Sequence, residues 1–434
     1  SAVQASAQAD APPGGSPPGM GDSTTNPVLT STCGVYFLDG ETGITTSDET
    51  YNSDAADVSD ICAINGSTLT LVNPTITKTG DTSSSDSSSF YGLNAAVLVG
   101  SGSSVSISGG SVTTDGAGTN GVFATGEDSS VILSDMTINA VGDGAHAVMA
   151  TLGGTMTLTN VDMNTTDAHS GAIATDRGSG TITVTGGTVT TSGQDSPGIY
   201  STGVINVSDA IISATGAESA VIEGANSITL THTSLTSSLE DKWGVMIYQS
   251  FSGDAEGSEG IFNMSDGSLS NTASTGPLFF ITNATGYINL TGVEVTANSG
   301  ILVEAGATDR WGSSGANGGT AILTADAQNL EGDLVADSIS SVSLTLKNGS
   351  SLTGAINIGN SAQAASLTLD ETSVWIVTAD SYLSTLTIFA EMSDSSIMNI
   401  VGNGHMVYYD ATLNEALGGM TYSLNGGGTL QSMA

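Results

Sequence analysis

Apolar pairs separated by a single residue recur along the chain at nearly constant spacing. The residue between the pair is Ser, Thr or Asn in five of six segments and Ile132 in the other, and such alternation is the period of a β-strand with one buried face. The spacing therefore predicts a repeating unit built around one short strand. Successive pairs begin 26, 25, 26, 23 and 23 residues apart, and they are Val105/Ile107, Val131/Leu133, Met156/Leu158, Ile182/Val184, Ile205/Val207 and Ile228/Leu230.

A second short apolar segment follows each pair at a similar offset. These segments begin at residues 121, 147, 171, 198 and 219, where the chain reads GVFAT, AVMAT, GAIAT, GIYST and SAVIE. Repeats of about 20 to 30 residues with Gly, Asn, Asp or Ser turns favour one coil of a parallel β-helix, whereas a propeller blade needs about 40. The predicted fold is all-β, a parallel β-helix (β-solenoid) of about a dozen coils. Longer insertions interrupt the repeat around 236–260 and 306–320.

The two ends of the chain depart from the repeat. The first residues hold most of the prolines and predict an arm, because they cannot bury enough apolar surface to fold alone. The ends of the stack are expected to expose strand edges that pair with another chain, and the arm is a candidate for that pairing. The predicted division is an arm, a disulfide-stapled cap, the β-helix and C-terminal coils, at residues 1–30, 31–65, 66–390 and 391–434.

Two features indicate export. Ser1 opens a run of small residues of the kind left when a signal peptide is removed. Cys33 and Cys62 are the only two cysteines, and an oxidising compartment would join them. We therefore expect a disulfide between Cys33 and Cys62, and a secreted protein at an extracellular cell surface.

The charge balance excludes some partners. The chain carries 43 acidic and 5 basic side chains, for a formal net charge of −38. Binding to nucleic acid or to an anionic membrane surface needs clustered Lys and Arg, so neither is expected. No run approaches the roughly 20 apolar residues of a transmembrane helix. No cofactor is required by this interpretation, and Ca²⁺ is kept open as a ligand of the acidic surface.

A late segment of the chain, SVWIVTADSYLSTL, suggests a family. It resembles the SxWxVTxDSxLxxL pattern in late coils of autotransporter passenger domains, and the coil pattern over roughly residues 65–390 resembles the same surface adhesins. The resemblance implies a right-handed parallel β-helix with a structural role at a cell surface. The outer-membrane barrel of that family is not in this sequence, so a processed passenger, a secreted relative and an assembly subunit all remain open. The matching positions are Ser373, Trp375, Thr378, Asp380, Ser381, Leu383 and Leu386.

One group of turn residues could bind a metal. Asp143 and Asp167 fall in equivalent turns before the second strand of successive coils, and His146 and His169 follow closely. Imidazole and carboxylate are common ligands of transition metals, and carboxylates also bind Ca²⁺. Solvated turn residues are the alternative interpretation.

An enzyme is not predicted, although many parallel β-helices cleave polysaccharides. A lyase of that type needs an Arg or Lys as base, and Arg177 in ATDRG is the best candidate. A surface ion pair explains Arg177 as well. A hydrolase needs paired carboxylates, which are too abundant here to point to a site.

The leading hypothesis is an exported structural subunit of an extracellular fibre or surface layer. It would form homo-oligomers or filaments end to end through its arm and terminal coils. The alternative is a monomeric adhesin that binds surface glycans or matrix by stacking sugars on aromatic rings, and the third hypothesis is a polysaccharide lyase or hydrolase. The candidate stacking residues lie in the insertions and are Trp243, Tyr248, Phe251 and Trp311.

Overall fold

The computed structural model describes residues 26–389 and 396–433. Strands make up 52% of the structure and helix 2%, which confirms the all-β class. The chain divides into two compact units, each a stack of parallel strands. We call residues 26–239 with Phe251–Glu256 the N-terminal unit, and Glu240–Ser250 with the described residues from 257 onward the C-terminal unit.

The N-terminal unit has one short helix, α1 (Ser85–Tyr91), in the described range. Ser84 caps this helix through its side chain, and Gly92 ends it in the left-handed conformation. The strands of this unit are β1 (Gly34–Asp39), β2 (Ile44–Ser47), β3 (Thr50–Ser53), β4 (Ser59–Ile64), β5 (Thr68–Val72), β6 (Thr75–Thr79), β7 (Val97–Gly100), β8 (Ser104–Ser108), β9 (Ser111–Asp115), β10 (Val122–Thr125), β11 (Ser130–Val141), β12 (Val148–Thr151), β13 (Thr155–Thr165), β14 (Ile173–Thr175), β15 (Thr181–Thr185), β16 (Thr188–Thr191), β17 (Ile199–Ser201), β18 (Val204–Ser208), β19 (Ile211–Ala214), β20 (Ala220–Glu223) and β21 (Ser227–Ser237).

The C-terminal unit has a 3₁₀ turn (Glu415–Leu417) near its end. Its strands are β22 (Val245–Tyr248), β23 (Glu259–Asn271), β24 (Phe279–Thr282), β25 (Thr285–Thr291), β26 (Glu294–Ala297), β27 (Ile301–Ala305), β28 (Thr320–Asp326), β29 (Asn329–Glu331), β30 (Asp333–Ala336), β31 (Ser341–Lys347), β32 (Ser351–Thr353), β33 (Ala364–Leu369), β34 (Val374–Ile376), β35 (Ser381–Leu383), β36 (Thr385–Ile388), β37 (Ser396–Val401), β38 (Met406–Tyr409), β39 (Tyr422–Asn425) and β40 (Thr429–Ser432).

The predicted register of the repeat is confirmed in the N-terminal unit. Val105, Val131, Met156, Ile182, Ile205 and Ile228 are ladder partners from one coil to the next. All six are buried, so they form one apolar column inside the solenoid. The two units together hold about 16 coils, more than the dozen predicted, because the segment assigned to the cap also forms strands.

The second predicted strand of each coil builds a separate sheet, which we call sheet A. It consists of β1, β4, β7, β10, β12, β14, β17 and β20, paired in parallel in that order. Strands such as β10 and β12 are buried at every position. Their near-continuous apolar sequences follow from this, because a sheet covered on both faces leaves no side for polar residues.

The remaining strands of the N-terminal unit form a second sheet, sheet B, which faces solvent on its outer side. Its strands alternate buried and exposed positions, as in β11 and β13. The sheet bends where one residue per coil adopts the left-handed conformation, as do Asp135 and Asn160, both with φ 52°. Asn160 Nδ2 donates to Asp135 Oδ1 at 3.2 Å, and Gly186 follows with φ 70°. Asn, Asp and Gly tolerate this conformation best.

The C-terminal unit contains three parallel ladders. One consists of β22, β24, β27 and β30, and a second of β23, β25, β28, β31, β33 and β36, with β26 paired beside β25 on the long strand β23. The third contains eight strands, in the order β29, β32, β34, β37, β39, β40, β38 and β35. Its only antiparallel pair within the described residues joins β39 to β40.

Candidate functional site

The segment that leads into the first coil runs along the outer face of sheet A. Asn26 Nδ2 donates to the main-chain oxygen of Tyr91 at 2.7 Å and to Thr125 Oγ1 at 3.3 Å, at the end of β10. Leu29 packs on Gly100, at the end of β7, so closely that a Cβ there would lie 2.3 Å from a Leu29 methyl carbon. The coils are counted from the N-terminus, with β1 in the first, β4 in the second, β7 in the third and β10 in the fourth. From Asn26 to Leu29 the chain therefore passes from the fourth coil to the third, towards the first.

A disulfide fixes the end of this segment. Cys33 directly precedes β1 and is bonded to Cys62 in β4, with their Cα atoms 5.9 Å apart. The predicted pairing is confirmed, and it ties the entrance of the first coil to the second coil. Cys62 is fully buried, so the bond is a structural one.

The first coil has an open edge. β1 pairs with β4 from Gly34↔Ser59 to Asp39↔Ile64, while β2 pairs with β5 and β3 with β6. Within residues 26–389 and 396–433, none of these three strands has a partner on its other side. Val35, the second residue of β1, is 64% exposed. We call β1, β2 and β3 the N-terminal edge, because strands that pair on one side only are a template for strand addition.

Two tyrosines close the core behind the N-terminal edge. The rings of Tyr36 and Tyr51 lie with their centroids 5.2 Å apart, and Tyr51 Oη lies 2.8 Å from Thr46 Oγ1. Burial, followed by the neighbouring Tyr51 and then by Glu41 and Glu49, raises the pKa of Tyr36. Aromatic rings thus fill the end of the core, whereas the backbone of β1, β2 and β3 around it remains accessible to a pairing strand.

Acidic side chains lie around this edge. Seven acidic residues lie between positions 39 and 60, and all except the buried Asp60 form what we call the acidic rim; the seven are Asp39, Glu41, Asp48, Glu49, Asp54, Asp57 and Asp60. Asn65 Nδ2 donates to Asp39 Oδ1 at 2.6 Å, and Asn73 Nδ2 donates to Asp48 Oδ1 at 2.7 Å. Asparagines of the second coil therefore hold two carboxylates of the acidic rim. Two such edges brought together would repel each other.

One acidic residue lies inside the cap. Asp60 in β4 is 1% exposed, and neither carboxylate oxygen has a hydrogen-bond partner. Burial raises the pKa of Asp60 to about 7, against the opposing influence of Lys78. Lys78 is also fully buried, and its Nζ donates to the main-chain oxygens of Ala55, at 2.9 Å, and Thr79. Burial lowers the pKa of Lys78 in turn.

The C-terminal end is terminated differently. β39 and β40 pair with each other, and each also has a parallel partner, β37 and β38 respectively. At the neighbouring strand β36, Asn414 Oδ1 accepts from the Leu386 N–H and Asn414 Nδ2 donates to the Ser384 carbonyl, both at 2.8 Å. The hairpin closes the edges of β39 and β40, so the prediction of an exposed strand edge at this end holds within the described residues only for β36, which pairs with β33 alone and has Asn414 beside it.

The four predicted metal ligands do not come together. His169 Nδ1 lies 2.7 Å from Asp143 Oδ1 at the surface. His146 is buried with its Nδ1 2.8 Å from the Gly171 carbonyl, and burial lowers its pKa to about 4. Asp167 contributes a main-chain oxygen to the Ser196 hydroxyl. Across the described part of the chain, no group of three His, Cys, Asp or Glu side chains could hold a metal ion.

Three of the four predicted stacking residues are buried. Trp243 stacks on Phe280 with centroids 4.0 Å apart, and Tyr248 packs on Trp311 at 4.8 Å. These rings do not offer a face to a glycan, because the insertions that carry them fold back onto the C-terminal unit. Phe251, in the N-terminal unit, is 65% exposed.

Arg177 makes an ion pair, which was one of its two interpretations. Its Nη2 lies 3.2 Å from Asp254 Oδ1, and its guanidinium carbon lies 3.7 Å from the centre of the Phe90 ring. The side chain thereby connects α1 with the segment Phe251–Glu256 across sheet A. Burial, reinforced by the charge of Asp254, raises the pKa of the adjacent Asp176.

The geometry defines a parallel β-solenoid whose first three strands pair on one side only within the described residues. No protein-family model matches the sequence, and no curated protein or solved structure matches it either. Among the described residues, none of the helices has the length and hydrophobicity needed to cross a membrane.

Proposed function

We propose that the protein is an exported structural subunit that self-assembles at a cell surface through its N-terminal edge. The observation that carries the proposal is the set of three one-sided strands, β1, β2 and β3, at the start of the stack. An exposed edge of this kind pairs readily with another chain, and main-chain hydrogen bonds then supply the affinity.

The contrast with the C-terminal end supports this proposal. There the hairpin β39–β40 closes two strands, and Asn414 bonds to two backbone groups beside the four-residue strand β36. Within the described residues, the N-terminal edge, with three strands paired on one side only, is therefore the larger surface open to strand addition. The disulfide and the resemblance of SVWIVTADSYLSTL to autotransporter passengers support export and a surface location.

Electrostatics favour an asymmetric contact over the meeting of two identical edges. The acidic rim would face itself in a symmetric dimer, and like charges at short range oppose association. A contact between the N-terminal edge and a different part of the next copy avoids this repulsion. If it repeats without closing into a ring, it produces a filament. Divalent cations would screen the rim and strengthen assembly.

The test is the size of the native full-length protein in solution, measured by light scattering and electron microscopy with and without a divalent chelator. Wild type should form ordered polymers. Val35→Lys places a charge at the exposed second residue of β1 and should give monomers. Val204→Lys makes the same change at a half-exposed position in the middle of the stack and should leave assembly intact. Strictly monomeric wild type would overturn the proposal and place the glycan-binding adhesin first.

A further inference from the structure

We infer that the strand which completes the N-terminal edge is residues 4–11 of a second copy of this chain, added alongside β1. The inference rests on the proposed function and names the surface that the edge accepts. Residues 4–11 lie outside the described residues, and they are considered by their sequence alone. Small apolar and polar residues alternate strictly through Gln4, Ala5, Ser6, Ala7, Gln8, Ala9, Asp10 and Ala11, which is the period of a strand with two different faces.

The edge suits a strand with small side chains. β1 has six residues, and Tyr36 and Leu38 alternate with the exposed Val35. The rings of Tyr36 and Tyr51 already fill the end of the core. An added strand therefore has little space for side chains on its inner face, and alanine at every second position meets that limit. Its polar face would then point to solvent.

The charge of the segment also fits the edge. Residues 4–11 contain one acidic residue, Asp10, and no basic one. The acidic rim of the first coil would repel a second rim much more strongly than it repels this segment. Main-chain hydrogen bonds along β1 do not depend on side-chain charge, so a nearly neutral strand is a suitable partner.

The path of the chain favours a second copy over the same copy. Between Leu29 and Asn26, followed towards the N-terminus, the chain moves from the third coil to the fourth, away from its own β1. The connecting residues 12–25 contain four prolines, in two pairs. Fourteen residues of chain can span at most about 45 to 50 Å. This reach allows residues 4–11 to leave their own solenoid and pair with the edge of a neighbour.

The decisive experiment combines two full-length variants. Ala7→Pro removes a main-chain donor and interrupts strand pairing by residues 4–11 while leaving the edge intact. Val35→Lys blocks the edge while leaving residues 4–11 intact. Each variant alone should be monomeric in light scattering, and an equimolar mixture should form a dimer, since only one productive contact is left. Ser16→Pro in the proline-rich connection is the matched control and should polymerise like wild type.

Each other result has a separate meaning. If Ala7→Pro polymerises like wild type while Val35→Lys does not, the inference fails and the proposed function stands. If wild type is monomeric and the β1 amides exchange slowly, but rapidly in Ala7→Pro, residues 4–11 fill the edge of their own chain and the second copy is excluded. If wild type is monomeric with rapid exchange in β1, both the inference and the proposed function fail.

Discussion

The first and last coils of the described chain expose their backbones to different degrees. At the N-terminal edge, β1 has a strand on one side only and Val35 is 64% exposed. At the C-terminal end, β39 and β40 bond to each other, and Asn414 supplies side-chain hydrogen bonds to the neighbouring strand. A β-solenoid has to terminate its column of strands somewhere, and at the C-terminal end a hairpin and an asparagine cover most of the last strands, while β36 keeps one side without a strand partner in the described residues.

The two ends also differ in what holds them. The first coil has neighbours on one side only, so it loses about half of the contacts that stabilise a coil in the middle of a repeat stack. The Cys33–Cys62 bond compensates for this loss. The late coils rely instead on packing around the fully buried Trp375, whose Nε1 donates to the Gly354 carbonyl at 2.8 Å. An open edge is thus compatible with a folded cap because a covalent bond replaces missing contacts.

The largest expected effect comes from removing that covalent bond. A disulfide closing a loop of 29 residues contributes about 3 to 4 kcal/mol in the chain-entropy model. We expect the double variant Cys33→Ser/Cys62→Ser to lose that much stability in the first coils, measured by hydrogen exchange of β1 and β4. Exchange in β39 and β40 should stay unchanged, since repeat units are stabilised mainly by their neighbours. Equal losses at both ends would contradict the comparison.

A second expected effect depends on pH and acts at the N-terminal cap alone. The pKa of Asp60 is raised by burial to about 7, whereas an unfolded chain has a value of about 3.9. The folded state therefore keeps a proton that the unfolded state has lost, and the stability due to this group is lost as pH rises through about 7. Asp60→Asn lacks this loss. Its unfolding free energy minus that of wild type should therefore rise by about 1 to 2 kcal/mol as the pH is raised from 5 to 8.

The control for this prediction lies in the same cap. Burial acts to raise the pKa of Asp57, but hydrogen bonds from Ser83 and Thr82 lower it overall. Asp57 is thus ionised in both states above pH 5, so Asp57→Asn should show a constant difference from wild type from pH 5 to pH 8. Taking differences cancels His146, whose buried ring titrates in wild type and variants alike. A flat profile for Asp60→Asn would show that Asp60 is ionised in the fold.

Much of the solenoid could be predicted because the register between neighbouring coils follows from the intervals between apolar pairs along the sequence. The pairs from Val105/Ile107 to Ile228/Leu230 stack as their intervals indicated, and the two cysteines bond as expected. The pattern of apolar pairs did not predict the third strand of each coil, such as β9, β16 or β19. The signal for this strand is the Asp, Asn or Gly that precedes it, as at Asp135 and Asn160, where the left-handed conformation turns the chain.

The side-chain sites were harder to predict because they depend on contacts between distant segments. Trp243 stacks on Phe280, and no local pattern indicates that an insertion rich in aromatic residues will fold inward. His146 and His169 are both in turns, yet one ring is buried against Gly171 and the other faces Asp143 at the surface. The burial of Asp60 follows from the position of β4 within sheet A, where both faces of the strand are covered.

The smallest expected effect comes from a substitution at the C-terminal end. It would remove side-chain partners from the backbone there, so that this end would resemble the N-terminal edge. Asn414→Ala leaves the Leu386 N–H and the Ser384 carbonyl without their side-chain partner, which costs about 1 to 2 kcal/mol when such groups stay partly buried. Hydrogen exchange should accelerate at Leu386 and remain unchanged in β1. Asn425→Ala, which removes a longer bond at an exposed position of the same end, is the control.

The same variant separates two explanations of assembly. If an unsatisfied strand edge is sufficient for association, Asn414→Ala should create a second edge that pairs with other chains. Electron microscopy should then show larger, branched aggregates. If association instead requires an edge shaped for one specific strand, the variant should be locally destabilised and still assemble like wild type. We expect the second outcome, because β36 has only four residues and the remaining strands at that end stay paired through β39 and β40.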